Sequence, residues 1–109
     1  EKERSEGLSR RLAARMIEAF TAADLPVHPY EPVRNHVIRR GRAWTPAVIR
    51  TSLVPQSLLL EVVNLNNPKD ASLIQQASFR QKVAVAFLDA LKRHYGDAPR
   101  PLVSASGAR

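Results

Sequence analysis

Glu61 is the residue whose setting points most directly to chemistry. It lies inside the run Leu58-Leu59-Leu60-Glu61-Val62-Val63. A carboxylate in such a string is expected to be buried. Burying an unpaired ionised group is expensive, so it must be paired, protonated or metal-linked. Burial would also raise its pKa toward the range useful for a general base. The position falls toward the C-terminal end of an expected strand, where open α/β sheets place their binding crevices. The alternative is a structural carboxylate, paired across the sheet with Arg50.

Other constellations are weaker. An apolar strand ending in an acid also occurs in phosphate-binding ATPases, but these need a Gly-rich loop ending in Lys-Ser or Lys-Thr. The four glycines, Gly7, Gly41, Gly96 and Gly107, form no such loop. The histidines are His28, His36 and His94, and none makes the closely spaced helical pair that anchors zinc. His28 and His36 share a loop region and could converge on a metal, although solvent contact accounts for them as well. His94 falls near a helix C-terminus, where a partly charged imidazole suits the dipole. No Ser/His/Asp triad follows from these spacings. The stretch from Arg34 to Trp44 combines Arg34, Arg39, Arg40 and Arg42 with one aromatic ring. It could hold nucleic acid through phosphate contacts and stacking, or serve as a solvated basic loop beside an anionic substrate.

Composition narrows the classes. The 109 residues suit one small domain or a piece of a larger one. With 44% apolar and 25% charged residues, the chain is not disordered throughout. No apolar run is long enough to span a bilayer. The absence of cysteine excludes disulfide scaffolds and Cys-based zinc fingers. The net charge is +7, and no acidic residue falls between Glu31 and Glu61, where five arginines do. Such a surface favours polyanionic partners. The chain opens on Glu1 with no basic-then-apolar leader, so either a leader has been removed or the chain is a fragment.

Several elements are expected to position these residues. Leu8, Leu12, Met16 and Phe20 repeat every four residues, with Ala13 and Ile17 alongside, and predict a helix ended by Asp24-Leu25-Pro26. Residues 26–46 carry Pro26, Pro29, Pro32, Gly41 and Pro46 and read mostly as loop. Residues 57–63 read as a central strand apolar on both faces, and Ala47–Arg50 as a shorter strand joined to it by a turn carrying Pro55. Asn67-Pro68 opens a short helix to about Gln76. A second helix follows, with Ser78 and Gln81 at capping-box spacing. Phe79, Val83, Phe87, Leu91 and Tyr95 form its stripe, Ala86 and Ala90 lie alongside, and Gly96 ends it. Residues 97–109 are small, polar and expected to be disordered. The pattern is α/β, but one or two strands do not make a stable sheet. The expected fold is therefore the C-terminal part of a helix-flanked, mostly parallel sheet domain, incomplete in this chain.

Val48-Ile49-Arg50, Pro55, Ser57-Leu58-Leu59-Leu60-Glu61 and Asn67-Pro68, in that order and spacing, resemble the zinc-dependent N-acetylmuramoyl-L-alanine amidases of the amidase-3 type. Phe79-Arg80-Gln81, opening the last helix, fits the same pattern, and the likeness covers residues 47–96. The resemblance implies that residues 1–96 are the C-terminal half of a catalytic domain acting on peptidoglycan in the periplasm or cell envelope. Glu61 matches the family's catalytic glutamate. It would be general base to a zinc-bound water attacking the amide between N-acetylmuramic acid and L-alanine. Arg50 matches a family arginine that would orient or face the substrate. Two departures stand out. Val63-Asn64 replaces the family's Gly-Phe, and the His-containing motifs that supply zinc ligands have no match, so those ligands are expected upstream. The resemblance implies neither a nucleic-acid partner nor a membrane span, and the chain alone is expected to be inactive. The competing readings are a non-catalytic basic module binding cell wall or nucleic acid, and a zinc-less regulatory relative.

Overall fold

A computed structural model describes residues 2–96, so the tail expected to be disordered at 97–109 lies outside the described residues. Helix α1 spans Lys2–Ala22. A hairpin of β1 (Val37–Arg39) and β2 (Arg42–Trp44) follows, and then the single turn α2 (Ala47–Arg50), α3 (Pro68–Ile74) and α4 (Ala77–Tyr95).

The core lies between α1 and α4, which run antiparallel. Ala22 and Ala23 line a groove with Lys82 and Val85, whereas Leu12 and Met16 line a second groove with Phe87 and Leu91. Leu12, Met16, Ala19 and Phe20 are buried at the i, i+4, i+7, i+8 positions of one helical face. Opposite them Ala86 and Ala90 are buried, with Phe79, Val83 and Leu91 partly so. The contact stripe on α4 thus passes through the alanines. Phe87 and Tyr95, expected in it, are exposed. A strict four-residue repeat drifts about 40° per step from a period of 3.6, and small alanines let two helices approach closely.

Local chemistry sets the helix ends. At the end of α1, Asp24 is left-handed with φ 58°. Its N–H donates to Thr21 O at 3.0 Å, and the Leu25 N–H donates to Phe20 O at 2.9 Å. These are the two bonds of a Schellman motif, and its apolar pair, Leu25 and Phe20, is buried in the core. At the start of α3, Asn67 Oδ1 accepts from the N–H groups of Lys69 (2.9 Å) and Asp70 (3.2 Å), with Pro68 at the first helical position. A cap of this kind contributes about 1 kcal/mol. The capping box expected of Ser78 and Gln81 does not form, because α4 begins at Ala77 with Gln76 as N-cap and no side-chain cap bond. Gly96 ends α4 at φ 74°, as expected of a glycine stop.

The expected fold class is overturned. Among the described residues the molecule is mostly helical, and the sheet found there has two strands, antiparallel rather than part of a mostly parallel layer. Residues 56–64 have no regular secondary structure, and 47–50 form a helical turn. A strand exists by its ladder, and among the described residues nothing pairs with 57–63. β-branched Val48 and Ile49 favour a strand, but the Arg50 N–H donates to Pro46 O and the Thr51 hydroxyl to Ala47 O, and these local bonds close a helical turn. Residues 37–44, read as loop, form a hairpin through the two-residue turn Arg40-Gly41, both with positive φ.

Candidate functional site

Glu61 sits on a strap laid across the two long helices. The Ser5 hydroxyl donates to Pro55 O at 2.8 Å, and the Ser57 N–H donates to Ser9 Oγ at 2.9 Å, fixing the strap to α1. Gln56 fixes it to α4: its amide lies 2.8 Å from His94 Nε2, and its carbonyl oxygen accepts from the Tyr95 hydroxyl. Leu58 packs against the core, while Leu59 and Leu60 stay exposed. Beyond Glu61 the chain is locked again. The Asn64 N–H donates to Asp70 Oδ2 at 2.9 Å, and Asn64 Oδ1 accepts from the Asn66 N–H at 3.0 Å. Glu61 is therefore carried between two anchored points.

Its carboxylate is exposed, contrary to the expected burial. An unpaired strap has one covered side, so the apolar neighbours of Glu61 do not enclose it. The pairing with Arg50 does not form either. Arg50 is exposed and donates to Thr45 O at 3.0 Å, and among the described residues no ion pair involves Arg50 or Glu61. The ion pairs that do form join Glu18 to Arg15 and Arg93, and Asp89 to Arg93, on the outer rim of the helix pair.

The histidines remain apart from Glu61. His28 Nδ1 accepts from the Tyr30 N–H at 3.3 Å, His36 is exposed, and His94 holds the strap. Among the described residues no three His, Cys, Asp or Glu side chains gather as a metal-ligand set. Among the described residues the donors do not fit a zinc ion: one exposed carboxylate with no imidazole paired to it is not a ligand set.

The basic stretch has more structure than its composition suggested. In the hairpin register Arg39 faces Arg42 and Ile38 faces Ala43. Side chains alternate along a strand, so Arg39, Arg42 and Trp44 share one face. The Arg39 guanidinium carbon lies 5.0 Å from the Trp44 ring centroid, within cation–π range. The readable signal was Gly41 after a polar residue between two short runs, Val37-Ile38-Arg39 and Arg42-Ala43-Trp44.

No protein-family model matches the chain, and neither a curated protein nor a solved structure is significantly similar to it. No helix among the described residues is long and apolar enough to cross a membrane.

Proposed function

We propose that this chain is part of a peptidoglycan amidase of the cell envelope, cleaving the bond between N-acetylmuramic acid and L-alanine, with Glu61 as general base. The order Arg50, Pro55, Glu61, Asn67-Pro68 carries the proposal. It is supported by the accessibility of the Glu61 carboxylate on a strap anchored on both sides. An exposed carboxylate can reach an attacking water, remove its proton and return that proton to the leaving amine, a contribution of roughly 10²–10⁴ in rate. Arg50, exposed one turn before the strap, is the proposed substrate-facing cation. The zinc such an enzyme calls for would need ligands other than the residues described. Peptidoglycan digestion by the full-length gene product, with and without chelator and beside Glu61→Gln, tests the proposal through stem-peptide release.

One observation favours a second reading, a non-catalytic binding module: the arginine-rich hairpin with its stacked Trp44 is an independently built basic surface. Wild-type binding to peptidoglycan with no release by the full-length protein would establish that reading instead.

A further inference from the structure

The hairpin holds an arrangement that folding alone does not favour. Arg39 and Arg42 are cross-strand partners, and like charges directly opposite are destabilising. Between them Arg40 occupies a left-handed position at φ 52°, where Asn or Gly would sit without strain. Among the described residues no carboxylate pairs with any of the three. Arg39, Arg40 and Arg42 are all exposed, and Trp44 is half-buried beside Arg39.

Arg39 and Arg42 are register partners that share one face and stand open to solvent, so a planar anion can draw their guanidinium groups together as a fork. Each can donate two parallel N–H groups to a carboxylate, and a bound anion removes the repulsion between the pair. The Trp44 ring holds Arg39 from one side, which limits the orientations the fork must give up on binding. We propose that the Arg39–Arg42 face of the hairpin is a carboxylate-binding subsite for the peptide part of the substrate. The identity of that peptide rests on the peptidoglycan reading, whereas the fork stands on hairpin geometry. A carboxylate-bearing peptide is favoured over nucleic acid because Arg39 already covers one face of Trp44, leaving less of the ring for a base to stack on.

Trp44 is the only tryptophan, so its emission reports this hairpin alone. The whole 109-residue chain is titrated in low salt with three probes. These are a synthetic stem tetrapeptide with free carboxylates, the same peptide with its carboxylates as carboxamides, and an oligothymidylate. The free acid is expected to shift Trp44 emission and to bind roughly tenfold more tightly than the carboxamide, a preference that added salt weakens. The double variant Arg39→Gln/Arg42→Gln loses that preference, and Arg39→Lys/Arg42→Lys keeps part of it because charge remains without the planar fork. Equal binding of the two peptides, or an unchanged preference in the Gln variant, overturns the proposal. Tighter binding of the oligothymidylate than of the free acid assigns the face to nucleic acid and overturns it as well. Release by Glu61→Gln is read separately. Carboxylate preference with undiminished release rejects the role of Glu61 alone, and lost release without preference rejects the subsite alone.

Discussion

Arg39 and Arg42 are directly opposed across the β1–β2 hairpin, and Arg39 lies 5.0 Å from the centroid of Trp44 on the same face. Like charges at directly opposed positions disfavour the pairing, and the ring offsets part of that cost for Arg39. Stability and binding therefore pull in opposite directions at this pair. Arg42→Thr removes the repulsion and adds a β-branched residue suited to a strand. It should stabilise the hairpin by roughly 0.2–1 kcal/mol while weakening anion affinity. Urea titration followed by Trp44 emission measures the first effect, and the peptide titration the second.

Asp24 is the weak point of the α1 terminus. It holds a left-handed conformation that glycine adopts freely, and its negative charge sits at the negative end of the helix dipole. Asp24→Gly relieves both, against the greater freedom it gives the unfolded chain. A net gain of about 0.5–1 kcal/mol is expected. The check is denaturant unfolding followed by circular dichroism.

Ala90 is fully buried where α4 meets α1, and Ala86 is nearly so. The helices approach over these small side chains, and a larger residue must force them apart. Ala90→Leu should destabilise by about 1–3 kcal/mol. Val85→Ala, on an exposed position of the same helix, should stay within roughly 0.5 kcal/mol. The pair of thermal melts reads both.

What was legible in the sequence divides along the range of the interactions involved. The opening helix, the Asn67-Pro68 start and the Gly96 stop depend on bonds within a few residues, and each forms. The fate of 57–63 depends on what lies beside it. Leu58 to Val63 looks the same whether a second strand or two helices cover it, and only the pairing decides. The exposure of Glu61 follows from that outcome. Val48 and Ile49 favoured a strand by propensity, and the bonds to Pro46 O and from the Thr51 hydroxyl outweighed it. At the hairpin, a positive φ at Arg40 is carried by a residue type that rarely signals a turn, which hid the Arg40-Gly41 connection.

Glu61 is the centre of the account, and one measurement bears on it directly: the rate of stem-peptide release from purified peptidoglycan by the full-length protein and by its Glu61→Gln variant. Equal helical content of the two proteins must first be shown by circular dichroism. Because Glu61 is exposed and unpaired among the described residues, the substitution should leave stability within about 0.5 kcal/mol. The expected result is a fall in release of roughly 10²–10⁴ with the fold intact. Release by Glu61→Gln at the wild-type rate would contradict it.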